Sequence, residues 1–323
     1  MTEPAMSVVV PTHGRAQSLA ALVGALEAQT APFDFEVVIV DDASPDGTWA
    51  ELERLSSGSS LDLRSIRLDC HGGAAHARNI GWRAARAPLI AFTDDDCLPT
   101  AGWLSALHAR LEHAEIVQGV TVPDPERQGH MGAWGRSVEE VREGAYATCN
   151  IGYRRAALDC GGGFDEGFGR MAGEDIELAW RLIGGGASHA FTPEALVHHE
   201  VHQMTYRMHL REKHRWAGLV FMVRKNPDLR RSLSSPHIWK PSHPPAMAAA
   251  VGLAIAASSR GRPTPLLAGA ALLGPYIRFR MVVWQQPVPR RYRIALLPAV
   301  LVADLYEIAV LARASARHRT LVL

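Results

Sequence analysis

The stretch Leu89–Pro99, "LIAFTDDDCLP", runs four apolar residues into Thr93 and then three consecutive aspartates. A short apolar run bounded by turn residues reads as a strand buried on both faces. Like charges repel, so three carboxylates at a strand end need a reason. Clustered carboxylates become favourable when a divalent cation neutralises them, and Mg²⁺ is usually held by one or two carboxylates plus substrate phosphates. The alternative is a helix start with exposed acids, because "DDDCLPTAGWL" also opens a helix. On this stretch alone both readings stand.

Working outward, "MSVVVPTHGR" reads as a buried strand stopped by Pro11, and "SLAALVGALEAQ" has helical spacing with Ser18 as a candidate cap. "FEVVIVDDAS" is a second buried strand, "DGTWAELERL" a helix, "LRSIRL" a third strand and "GGAAHARNIGWRAA" a glycine-led helix. Strands and helices therefore alternate from Ser7 to about Leu111. That alternation predicts an α/β fold with parallel neighbours and helices on both faces. Ligands on such sheets gather at the carboxyl ends of strands. Three strand ends carry polar clusters: Pro11-Thr12-His13, Asp41-Asp42 and Asp94-Asp95-Asp96. Beyond Val117 the pattern loosens. A glycine-rich loop leads into an acidic helix start in "GGGFDEGFGRMAGEDIELAW", and glycine there allows a loop that closes over a substrate. "LVHHEVHQ" follows as strand or loop.

The net charge of +1 hides an asymmetry. Residues 1–205 carry 15 Lys and Arg against 29 Asp and Glu, whereas residues 206–323 carry 19 against 4. This predicts an acidic working domain over 1–205 and a basic, helical docking extension over 206–323. The extension holds three apolar runs, "PPAMAAAVGLAIAA", "TPLLAGAALLGPYI" and "IALLPAVLVADLYEIAVLA". The first two are short for a membrane span of about 20 residues. The third is interrupted by Pro298, Asp304 and Glu307. Apolar helices flanked by arginines suit an anionic membrane surface, so the expected location is cytoplasmic and peripheral to the membrane, with short embedded helices as a further option. The other reading is a helical subdomain packed on the core. Ala/Leu-rich, aromatic-poor runs fit lipid better than nucleic acid, and no nucleic-acid partner is expected. Cys70, Cys97, Cys149 and Cys160 form no CxxC pair, and the first residues do not read as a secretory signal, so reduced thiols are expected. Neither a Walker A loop nor a GxGxxG follows the first strand, which argues against ATP and NAD sites.

The ordered set "VVVPTHGR", "VVIVDDASPDGT", "ARNIGWRAA", "IAFTDDDCLP", "NIGYRRAALDCGGGFDEGF" and "GEDIELAWRL" closely resembles the family 2 glycosyltransferases over residues 6–200. The resemblance implies a GT-A-type, Rossmann-like nucleotide-sugar-binding domain with a mixed central sheet, followed by the α-helical region. It also implies inverting sugar transfer from a nucleotide-sugar donor to a glycan or lipid-linked acceptor, with Mn²⁺ or Mg²⁺ as cofactor. By position, Pro11, Thr12, Arg15, Asp42 and Arg78 match the donor-binding side. Asp94 and Asp96 match the ends of the DxD motif, with Asp95 in its variable place. His199 matches a histidine that completes the metal–diphosphate site, and the adjacent His198 leaves the register open by one. Asp175 matches the general base, with Glu174 beside it. Thr93 and Cys97 depart from the commoner flanks of the motif, which leaves donor identity open. "EKHRW", Glu212–Trp216, is similar to a motif of processive members that holds the acceptor and diphosphate end of the site. The remaining histidines, His202 among them, are expected at the surface or in structural roles.

Inversion needs a carboxylate to take the acceptor's proton and a cation to stabilise the departing diphosphate. Glu174 would raise the pKa of Asp175 by like charge, while a helix N-terminus would lower it. Two other readings are a sugar-phosphate nucleotidyltransferase, for which "PTHGRAQS" is a poor phosphate loop, and a membrane-bound scaffold with an inactive transferase-like domain.

Overall fold

Strands β1 (Met6–Thr12) and β2 (Phe35–Asp41) are buried on both faces. Val8, Val10, Val37 and Ile39 join one apolar cluster, and Val9, Val38 and Val40 join another. Alternate side chains point to opposite sides of a sheet, so continuous valine runs require cover above and below. Helices α1 (Ala16–Glu27), α2 (Thr48–Gly58) and α4 (Trp103–Leu111) supply Leu19, Leu22, Leu52, Trp103 and Leu107 to the first face. Helices α3 (Ala74–Ala84), α5 (Arg155–Gly161) and α6 (Glu174–Gly184) supply Trp82, Leu158 and Leu178 to the second.

The computed structural model describes residues 3–284 and 288–323. The remaining strands are β3 (Asp62–Arg67), β4 (Leu89–Phe92), β5 (Cys97–Pro99), β6 (Ile116–Pro123), β7 (Ile151–Arg154) and β8 (His189–His199). The eight form one sheet in the order β3-β2-β1-β4-β7-β6-β8-β5. β1 pairs in parallel with β2 and β4, whereas β7 is antiparallel to β4 and β6. The sheet is therefore mixed, as expected for the GT-A type.

Two local expectations are corrected. Pro11 does not stop β1; it lies in register with Val40, and the strand runs on to Thr12. Pairing with β4 ends at Val9 opposite Phe92. The position of Pro11 points its missing N–H to that vacated side, so no ladder bond is lost. Ser18 is not the cap of α1, which begins at Ala16 with Arg15 before it. The N–H groups of Gly14 and Arg15 are met instead by Ser44 Oγ and Thr48 Oγ1, both at 2.9 Å.

The chain divides into two compact units. One holds the sheet, through Gly129 and again over Ser137–His202. The other combines His130–Arg136 with Gln203–Leu323 and contains α7 (Tyr206–Glu212), α8 (Ala217–Lys225), α9 (His243–Ser258), α10 (Pro263–Val282) and α11 (Arg290–His318). The Glu212–Trp216 run is built into this second unit: Glu212 pairs with Arg136 at 2.7 Å, Lys213 with Glu307 at 3.2 Å, and Trp216 packs on Trp239.

Candidate active site

The three aspartates do not cap a helix. They form the turn from β4 into β5, and α4 starts only at Trp103. Each carboxylate has different partners. Asp94 accepts from Arg78 Nη2 at 2.8 Å. Asp95 accepts from Thr12 Oγ1 at 2.6 Å, with Arg15 Nε 3.9 Å away. Asp96 lies between His202 Nε2 at 2.8 Å, His199 Nε2 at 3.6 Å and Arg15 Nη2 at 3.4 Å.

Surroundings split their protonation. Burial, then the charge of Asp96, raises Asp95 to about 7, against the opposing bond from Thr12. Burial also acts to raise Asp96. The hydrogen bond from His202, the charges of both histidines and Arg15 outweigh it and hold that carboxyl well below its usual range. Of Asp95 and Asp96, Asp96 is thus the one held ionised.

Arg78 on α3 is buried and connects the motif to the start of α6. Its Nη1 donates to Glu174 Oε1 and its Nη2 to Asp94 Oδ1, both at 2.8 Å. The neighbouring Asn79 ties down the glycine-rich loop before α6. Its Nδ2 donates to the Phe164 carbonyl and to Glu166 Oε1, and its Oδ1 accepts from Phe164 N–H. That segment is pinned to α3. Two glycines permit the approach. A Cβ on Gly73, at φ +91°, would stand 2.8 Å from the Gly169 carbonyl oxygen, and Gly173 enters α6 at φ +112°.

Asp42 sets where α3 begins. Its two oxygens accept the N–H groups of Gly72 (2.7 Å) and Gly73 (2.8 Å), and His71 Nδ1 is 2.8 Å away. These contacts tie the end of β2 to the turn that opens α3.

Asp175 follows Glu174 in the first turn of α6, and its Oδ1 accepts the Ile176 N–H at 2.8 Å. Burial raises it to about 7, the charge of Glu174 adds to this, and Arg78 opposes it. Burial and like charge thus outweigh Arg78 and the backbone bond. Glu140, which sequence reasoning passed over, is also raised to about 7, by burial and then by the charge of Asp175. It bridges Thr121 on β6 through its backbone.

The histidine register is resolved by strand alternation. β5 and β8 are antiparallel, with Cys97 opposite His199 and Leu98 opposite His198. His199 is buried beside Asp96, and its Nδ1 is 2.9 Å from the Glu200 carbonyl oxygen. Its Nδ1–H donates to that carbonyl, which leaves Nε2 as the nitrogen facing Asp96. His202, expected at the surface or in a structural role, is brought onto Asp96 where the chain turns back after β8. A cleft of about 620 Å³ opens against Asp95 and Asp96, bordered by Arg15, Asp124 and Glu200. Pro11 sits on β1 next to Thr12 and makes no polar side-chain contact.

An eight-stranded mixed sheet with acidic strand ends and helices on both faces is the GT-A type of fold. Residues 7–161 match the family model "Glycosyl transferase family 2", and that segment of the chain belongs to the family. It is 30% identical over 269 residues to validoxylamine A glucosyltransferase of Streptomyces hygroscopicus subsp. limoneus, covering 70% of this chain and 58% of that protein. It is 29% identical over 210 residues to pre-mycofactocin glycosyltransferase of Mycobacterium tuberculosis, covering 60% of this chain and 42% of that protein. The chain thus spans about three fifths or less of these curated relatives. In fold it is similar to the mannosyltransferase PcManGT of Pyrobaculum calidifontis, solved with GDP-Man and Mn²⁺ (TM-score 0.59, 21% identity, 97% of this chain and 88% of that one). It is also similar to S. aureus TarS 1-349, solved with UDP (TM-score 0.52, 18% identity, 98% and 92%).

Proposed function

We propose that this chain is an inverting, divalent-cation-dependent glycosyltransferase that moves a sugar from a nucleotide-sugar donor to a hydroxyl acceptor in cell-surface glycan or glycolipid synthesis. The observation that carries the reading is the linkage of two acid groups: Arg78 bridges Asp94 of the strand-end cluster to Glu174, the neighbour of Asp175. PcManGT was solved with GDP-Man and Mn²⁺ and TarS 1-349 with UDP, which supports a nucleotide-sugar donor for this fold.

In this reading residues 1–205 are the catalytic domain. Thr12, Pro11, Arg15, Asp95 and Asp94 border the donor, while Asp42 and Arg78 act by positioning the turn and helix beside it. Asp96, His199 and Asp94 would hold the cation. The donor set fits: a carboxylate held ionised and an imidazole whose Nδ1 is engaged by a carbonyl, so that Nε2 would be the ligating nitrogen once deprotonated, suit Mn²⁺, with Mg²⁺ as the harder alternative. When bound, the cation supplies charge neutralisation for a leaving diphosphate. Asp175 takes the acceptor hydroxyl's proton as that oxygen attacks the anomeric carbon from the face opposite the diphosphate. The sugar–diphosphate bond breaks, and the configuration inverts. A base pKa near 7 matches this task at neutral pH. Residues 206–323 would hold the catalytic domain at an anionic membrane on its cytoplasmic side, near a lipid-linked or glycan acceptor.

The test is Asp175→Asn against a panel of UDP-, GDP- and dTDP-sugars with Mn²⁺. Transfer should fall by about 100-fold or more, the range for losing a general base, with donor-induced thermal stabilisation retained. Turnover within a few-fold of wild type would remove Asp175 from the role.

A further inference from the structure

Helices α9 and α10 form an antiparallel pair whose outward surface has no soluble design. Between His243 and Arg260 the chain carries no charged residue, and none occurs between Arg262 and Arg278. Val251, Leu253, Leu266 and Leu267 are exposed, Leu267 at 72%. A surface helix of a soluble protein confines its apolar residues to one stripe; these two are apolar on every side.

Their mutual contact is built from small residues. A Cβ on Gly252 would stand 2.6 Å from the Gly269 carbonyl oxygen, and a Cβ on Gly269 the same distance from that of Gly252. Backbones approach this way where lipid removes the hydrophobic gain of packing large side chains. Pro275 inside α10 is likewise tolerated in such a setting.

Charge marks both ends. At the open end, Arg280 pairs with Asp304, Lys240 with Glu307 at 2.8 Å, and His243 Nε2 lies 3.9 Å from Glu307. At the closed end Arg260 and Gly261 turn the chain with positive φ, and Arg260 and Arg262 are exposed. α9 rises about 24 Å over its 16 residues at ~1.5 Å per residue, and the exposed arginines of the turn can extend beyond it to the headgroups of a ~30 Å hydrocarbon core.

Among the described residues, α11 is the helix that meets a length-and-composition test for spanning. Its acids argue for another role: Asp304 accepts from Tyr276 and Arg280, and Glu307 from Lys213 and Lys240. Leu301 packs with Ala246, Ala249 and Tyr276. α11 therefore closes the polar base of the hairpin.

We infer that the α9–α10 hairpin crosses a lipid bilayer, with Asp304, Glu307 and their cationic partners at the near headgroups and Arg260 and Arg262 at the far ones. This rests on the membrane reading of residues 206–323 and departs from purely peripheral association.

The experiment uses the full chain in vesicles of phosphatidylcholine with phosphatidylglycerol, and single reactive cysteines. Cys70 and Cys160 are exposed, whereas Cys97 and Cys149 are buried. One protein keeps Cys70 and carries Cys160→Ser; the other carries Cys70→Ser, Cys160→Ser and Thr264→Cys at the hairpin tip. In molecules oriented with Cys70 outside, a membrane-impermeant maleimide should label Cys70 fully. It should label the tip cysteine at least tenfold less until detergent opens the vesicles. Equal labelling in intact vesicles overturns the crossing and leaves peripheral binding standing. A chain that fails to float with the vesicles overturns both. A soluble dimer that Leu267→Glu dissociates would assign the face to a second copy instead.

Discussion

Removing the guanidinium of Arg78 tests the linkage on which the site depends, independently of any substrate. Arg78→Met keeps the stem's length and deletes two charge-assisted bonds of 2.8 Å. Each such bond is worth about 1.5–3 kcal/mol. The Arg78 side chain is only 5% exposed and that of Glu174 12%, so this arm sits at the stronger end, while Asp94 at 28% is partly screened by water. The expected loss is about 3–4 kcal/mol, in line with the ~3–5 kcal/mol for breaking a buried pair by removing one partner. For a domain of this size about 2–4 °C accompanies each kcal/mol, so the sheet unit's melting transition should fall by at least about 6 °C in calorimetry. Arg78→Lys should recover part of this, because it keeps the charge and loses the fork that reaches both acids. Arg78→Met melting within about 2 °C of wild type would refute the reasoning, since three neighbouring carboxylates would then tolerate losing their shared cation.

Other outcomes follow from the same geometry. The pKa of Asp175, raised to about 7, makes kcat/KM rise with pH through about 7 and level off above it, because the base must be ionised; a flat profile from pH 6 to 8 would contradict this. The same group stabilises the fold below its unfolded pKa, and that contribution is lost as pH rises through about 7, so Asp175→Asn should flatten the melting temperature across that window. Asp96→Ala should weaken Mn²⁺-dependent nucleotide binding by calorimetry at least tenfold, and chelation of wild type should do the same; unchanged titrations would remove Asp96 as a ligand. Asn79→Ala leaves the Phe164 N–H and carbonyl without their partner, and at about 1–3 kcal/mol for an unmet buried group it should destabilise by at least about 2 kcal/mol and speed proteolysis within residues 161–173. Cleavage there at the wild-type rate would show that the loop is held elsewhere.

Much of this site was legible in residue order. The apolar runs before Asp41-Asp42 and Asp94-Asp95-Asp96 read as buried strands with acidic ends, because a short unbroken apolar run followed by turn residues is a local consequence of side-chain chemistry. Glu174-Asp175 at a helix start was legible for the same reason. What the order of residues left open were matters of contact across long separations. Whether His198 or His199 faces Asp96 follows from β5–β8 pairing, and His202 joins only because the chain folds back after β8. The pKa of Asp175 was undecided between a neighbouring acid and a helix N-terminus, since burial, the largest influence, exists only once the sheet is packed. The bridge Arg78 makes joins residues 16 and 96 positions away, a pairing that residue order does not show. Local periodicity depends on the covalent chain and can be read along it; desolvation and charge pairing depend on which distant groups share a space, and only the tertiary structure decides that.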